Sequence, residues 1–129
     1  MSLELTLLIW SAALAGAYVV VQSTVYRLDY GIAHAGSQRD GERQPNKWTA
    51  RGNRALRNFL ETYGIFIALA VACELAGRSN GLTQWGAQMW FWARWIYIPA
   101  YFIDVPFLRS AIWSISLLGL VLLFVGVAF

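Results

Sequence analysis

The chain has 129 residues, of which 58% are hydrophobic, 16% aromatic and only 13% charged; a soluble domain carries about twice that share of charge, and two ordinary domains do not fit. A net charge of +3 with no dense basic run excludes a nucleic-acid-binding footprint. One cysteine, Cys73, and one histidine, His34, exclude an internal disulfide, a Cys-based zinc site and a His-rich metal site, so no metal is expected.

The apolar residues lie in four long blocks. They predict an all-α membrane protein, a four-transmembrane-helix bundle that forms one domain over residues 1–129. Each block is close to the ~20 residues that cross ~30 Å of hydrocarbon as a helix. The first runs over about 3–26, with Glu4 as its only charge. No basic residue precedes it, which argues against a cleaved signal peptide. A connection over 27–53 follows, polar and rich in Gly, Arg and Asp, without a periodic apolar face, and it reads as a loop. His34 within it has no second histidine and reads as a solvated residue.

The second block covers about 54–76 and the third about 82–102, with "GRSNG" from Gly77 to Gly81 as a tight turn between them. Pro99 removes a backbone donor and predicts a bend in the third. The fourth covers about 106–129. Asp104 is placed to cap it, with Pro106 in its first turn. Gly119 and Gly126, one heptad apart, suit close helix approach. Glu74 reaches either water or Arg78, four residues on. Cys73 reads as an inert buried thiol.

The basic residues are unevenly shared. Arg27, Arg39, Arg43, Lys47 and Arg51 lie on one side of the four-span model, with Arg54, Arg57 and Arg109 at the mouth; Arg78 stands alone on the other. The positive-inside rule then puts the long loop in the cytoplasm. Trp10, Trp48 and Trp85 are candidate interfacial anchors.

Block two opens with four polar residues on one helical face. Arg54, Arg57, Asn58 and Glu61 are spaced i, i+3, i+4, i+7. Glu61 lies about 10 Å beyond Arg54 along the axis, too far in for so short a side chain to reach water easily. The arginines are either span-end anchors or ligand-binding groups, and Glu61 either pairs with Arg57 or meets a ligand. Charge within a membrane usually faces a bundle interior or a cavity. Block three repeats the pattern with Arg94, Tyr97 and Tyr101, and block four opens on Arg109 and Ser110. Together these predict an anion site between helices. Arginines would hold carboxylates, and Glu61 with Asn58 would meet an amine or amide, which suits a zwitterionic, peptide-like ligand.

The segment "RALRNFLETYGIF", Arg54 to Phe66, resembles the signature of the MAPEG family, membrane-associated proteins in eicosanoid and glutathione metabolism. Arg54, Ala55, Asn58 and Glu61 match its Arg-Ala-x-x-Asn-x-x-Glu core, and Arg57 a basic position often found within it. Arg94 with Tyr101 and the pair Arg109–Ser110 are similar to family patterns in the third and fourth helices. The resemblance implies a homotrimer of four-helix subunits in a lipid bilayer, with glutathione as cosubstrate between neighbouring subunits. Arg54, Arg57, Asn58 and Glu61 would hold the tripeptide, with Arg94, Tyr97 and Tyr101 beside them. Arg109, with Ser110, would stabilise the thiolate against a lipophilic small-molecule electrophile. Leu56 replaces a frequent family histidine, and Trp113 stands where some catalytic relatives place a tyrosine. The compact ends suit a bacterial member, in an inner membrane. The implied activity is that of a glutathione transferase or peroxidase; a non-catalytic membrane module with the same fold, and a structural protein whose stripes are interhelical ion pairs, are the alternatives.

The charge asymmetry makes a direct prediction. Cysteines placed at Ser37 and Asn80, in a Cys73→Ala background, should react with impermeant reagents from opposite sides of the membrane; reaction of both from one side would overturn the four-span arrangement.

Overall fold

Residues 1–129, all described by a computed structural model, form helices and no strand. In chain order these are α1 (Leu3–Tyr30), α2 (Ile32–Ala35), α3 (Lys47–Ala76), α4 (Gly81–Phe102) and α5 (Leu108–Ala128). The four long helices make a bundle in which α1 packs on α3 and α4, and α5 packs on α4 and α3. Three of them, α1, α3 and α5, are long and apolar enough to cross a membrane. The expected third span, α4, is 22 residues long. It is less apolar because it carries Trp85, Trp90, Trp92, Trp95, Tyr97, Tyr101 and Arg94.

The caps set the ends. Ser2, Asn46 and Asn80 each accept a hydrogen bond from the backbone N–H three residues on, at 3.1, 2.9 and 3.1 Å. Asn80 and Thr83 complete a reciprocal capping box. α3 stops at Gly77, in the left-handed region at φ 64°.

The long connection differs from the loop expected over 27–53. α1 continues to Tyr30, and α3 begins at Lys47, seven residues before Arg54. Tertiary contacts extend both helices. Thr49 Oγ1 donates to the Val25 carbonyl at 3.1 Å, and a Cβ on Gly52 would stand 2.7 Å from Val25 Cγ2. At 28 and 30 residues, α1 and α3 are ~40–45 Å long, so both overrun ~30 Å of hydrocarbon, and their paired overhang carries the polar end of the bundle.

The remaining connection is tied to that overhang. Asp29 accepts from Arg43 at 2.5 Å and from the Asn46 N–H at 2.8 Å. Tyr26 donates to Glu42, and the Arg39 guanidinium lies 4.2 Å from the Tyr26 ring centre. The Tyr26 hydrogen bond, with help from His34, holds the Glu42 carboxyl below its usual range. His34 is therefore not simply solvated: its Nε2 stands 3.2 Å from Glu42 and its ring stacks on Tyr30.

The α4–α5 turn also departs from expectation. α5 starts at Leu108, after Pro106, and its N-terminus has no side-chain cap. Asp104 instead pairs with Arg51 and Lys47 of α3. Glu74 accepts from Ser2 at 2.6 Å and forms no salt bridge with Arg78. Cys73 is buried, as expected.

The core is an aromatic column. Trp90 stacks on Phe66 with centroids 4.1 Å apart, and Phe59 stacks on Tyr18 at 4.4 Å. Beside it α4 and α5 meet backbone to backbone. A Cβ on Gly86 would stand 2.5 Å from the Gly119 carbonyl oxygen, and one on Gly119 would stand 2.7 Å from the Gly86 oxygen. A Cβ on Gly126 would stand 2.6 Å from the Thr83 side-chain Cγ2 and 3.0 Å from its backbone nitrogen. Both glycines expected to allow close approach do so.

Gly86→Ala should therefore destabilise the bundle by about 1–3 kcal/mol, because backbone and not a flexible side chain must move. Gly64→Ala, where nothing lies within 4 Å of the added methyl, should be neutral or stabilising by up to about 1 kcal/mol. Thermal unfolding in detergent separates the two, and equal melting temperatures would contradict the contact.

Candidate functional site

The stripe Arg54, Arg57, Asn58 and Glu61 lies where α3 turns away from the core residues Ala55 and Phe59. It does not open onto one cavity within the subunit. Arg54 faces a cleft of about 380 Å³ at the end of the bundle that carries the long connection. Arg51, Tyr101, Asp104, Arg109 and Ser110 share its walls. Arg57 and Glu61 line an open groove of about 690 Å³ on the other flank, with Gln22, Asn53, Leu56 and Leu60. They form no salt bridge, although they are one turn apart.

Three helices converge on Tyr101. Its ring centre lies 5.9 Å from the Arg54 guanidinium of α3 and 4.9 Å from the Arg109 guanidinium of α5. Tyr97 meets it edge-on at 5.4 Å. Both guanidiniums thus contact one aromatic ring, and neither forms a salt bridge with a carboxylate. Such a pair attracts an anion, and a planar fork suits a carboxylate or a thiolate held at its edge.

Arg94 is placed differently from the other arginines. It is fully buried. Its Nη1 donates to Asn58 Oδ1 at 2.8 Å and its Nη2 to Thr62 Oγ1 at 3.0 Å; its Nε has no partner. The guanidinium lies 5.0 Å from the Tyr97 ring centre. Arg94 lines neither the cleft nor the groove within this subunit. What it does is orient Asn58. A guanidinium only donates, so the amide oxygen must face it, and the Asn58 NH₂ is the group left for an acceptor. The stripe thus pairs a donor at Asn58 with a carboxylate at Glu61, rather than two groups suited to one amine.

Sequence reasoning overlooked four participants. Arg51 extends the stripe by the same i, i+3 step that joins Arg54 to Arg57, and that spacing could have found it. Thr62 stands four residues after Asn58, an equally readable signal. Tyr18, whose hydroxyl donates 2.6 Å to the Arg94 carbonyl, and Asp104, whose partners come from α3, had no local signal. The hydrogen bond from Arg51, reinforced by the charges of Arg51 and Lys47, holds the Asp104 carboxyl below its usual range. Its ion pairs are therefore complete above the ordinary value of 3.8 and are lost only as the pH falls through the lowered one.

A family model described as the MAPEG family matches residues 7–129, nearly the whole chain. No curated protein and no solved structure matches it.

Arg94 forms no salt bridge with a carboxylate, so its removal and the removal of its partner should act oppositely. Arg94→Met, similar in volume, should leave the melting temperature in detergent unchanged or higher. Asn58→Ala leaves the buried guanidinium short of an acceptor and should cost about 1–3 kcal/mol. A large loss in Arg94→Met would mean that its two hydrogen bonds outweigh the desolvation of its charge.

Proposed function

The chain belongs to the MAPEG family, and from that premise, together with its integral membrane character, we propose that it binds glutathione and activates its thiol against lipophilic electrophiles. The observation that carries this reading is the convergence of Arg54, Arg109 and Ser110 around Tyr101 in one cleft, where the one acid, Asp104, pairs with Arg51 and Lys47 and neither of the two guanidiniums forms a salt bridge. Arg54 and Arg57 bind glutathione carboxylates. Glu61 accepts from the α-amine, and Asn58 donates to a peptide carbonyl. Tyr101 walls the site with Tyr97 buried edge-on behind it, and Arg94 acts by holding Asn58.

Arg109 stabilises the thiolate once the thiol proton has left to water. The sulfur then bonds to the electrophilic carbon as the leaving group departs with its bonding pair (chloride, for a chlorodinitrobenzene). With a peroxide, the sulfur takes the oxygen, the O–O bond breaks, and the alkoxide leaves as alcohol after protonation by water. A second glutathione then reduces the sulfenic acid to the disulfide and water. Ser110 donates a hydrogen bond to the charge that develops. The open groove beside Arg57 and Glu61 supports a homotrimer. A neighbouring copy would cover a polar face that is costly to leave against lipid, and would bring the two flanks of the stripe to one ligand. The excess of basic residues on the long connection supports a cytoplasmic position for it, where glutathione is supplied.

The test is the ultraviolet absorbance of a glutathione thiolate in the purified protein. Arg109→Leu should still bind glutathione but lose the thiolate at the original pH. Turnover of a chlorodinitrobenzene should fall about 30- to 150-fold, the equivalent of about 2–3 kcal/mol of transition-state stabilisation. Glu61→Gln should instead weaken binding by about 1–3 kcal/mol. Binding without a thiolate in the unaltered protein would make it a non-catalytic module of the same family.

A further inference from the structure

The turn between α4 and α5 does little to hold itself. α5 begins without a side-chain cap, Phe107 takes a left-handed backbone at φ 65°, and Pro106 has no N–H to donate. Arg109 follows two residues after Phe107, so the position of this turn sets the position of its guanidinium.

The anchorage comes from α3. Arg51 Nη1 donates 3.2 Å to the carbonyl of Phe102, the last residue of α4, and its Nη2 pairs with one oxygen of Asp104. Lys47 Nζ lies 3.7 Å from the other oxygen. Trp48, between the two cations in sequence, stacks on Phe102 at 6.1 Å. The Arg51 side chain is only 18% exposed, so it is already fixed on the α3 side. Asp104 is the only acid in the cleft wall, yet it is spent on Arg51 and Lys47 and leaves Arg54 and Arg109 unneutralised.

We propose that Asp104 is a positioning residue, which through Arg51 and Lys47 clamps the α4–α5 turn to α3 and so sets where the Arg109 guanidinium meets Tyr101. The clamp is a local ion pair rather than a source of global stability, since the Asp104 side chain is 66% exposed. Its catalytic consequence rests on the reading of Arg109 as the thiolate-stabilising group, and the test has an arm that does not.

That arm measures the clamp directly. Spin labels at cysteines replacing Ala50 and Ala111, in a Cys73→Ala background diluted with unlabelled chain, report the α3–α5 distance in the detergent-solubilised protein. Asp104→Asn keeps the side-chain shape and should broaden the distance distribution. The exchanged pair Arg51→Asp with Asp104→Arg should narrow it again. The second arm, in unlabelled protein, follows glutathione. Asp104→Asn should change its affinity less than about threefold while thiolate formation and turnover fall about tenfold.

An unaltered distance distribution in Asp104→Asn overturns the clamp. A broadened distribution with normal thiolate and turnover overturns its role in positioning Arg109. If the unaltered protein forms no thiolate, the functional reading fails, and the distance arm alone decides whether Asp104 holds the turn.

Discussion

A guanidinium buried among helices without a carboxylate sets the terms for the rest of this bundle. Moving a charge out of water costs several kcal/mol even after relaxation, and Arg94 recovers part of that from Asn58, Thr62 and the face of Tyr97. Those partners lie on α3 and α4, and the carbonyl of Arg94 itself takes the hydroxyl of Tyr18 from α1. Three helices are thereby referenced to one residue. A hydrophobic side chain of similar size there would avoid that desolvation.

The apolar side of the bundle is organised by contact rather than charge. Gly86 and Gly119 let α4 and α5 approach until backbone meets backbone. That crossing fixes the axis of α5, and the Arg51–Asp104 pair fixes its start. Arg109 thus depends on two constraints at opposite depths, one steric and one ionic. Its guanidinium and that of Arg54 both contact the Tyr101 ring, and neither forms a salt bridge.

The polar stripe on α3 is divided between a cleft and an open groove. Arg54 is complete within the chain, because α4 and α5 supply the cleft. Arg57 and Glu61 are exposed on a groove that nothing in the subunit closes. Their lack of a mutual ion pair leaves both charges available to a ligand or to a second copy.

Much of this was legible in the residues themselves. Runs of ~20 apolar residues determine spanning helices, since a backbone in hydrocarbon must satisfy its own hydrogen bonds. The i, i+3, i+4, i+7 spacing determines that Arg54, Arg57, Asn58 and Glu61 share a face, since helical periodicity is local. Gly119 and Gly126 were readable as close-contact positions for the same reason, and the motif at Arg54 to Phe66 placed the chain in its family. Other features needed the assembled helices. The extension of α1 to Tyr30 and of α3 back to Lys47 depends on Thr49 and Gly52 meeting Val25. The inward turn of Arg94, the donor orientation of Asn58, and the capture of Asp104 by α3 in place of capping α5 depend on partners 32 to 57 residues away. Local patterns determine which face a side chain occupies; only packing decides what lies opposite, because burial and charge pairing are settled between segments that the sequence does not place side by side.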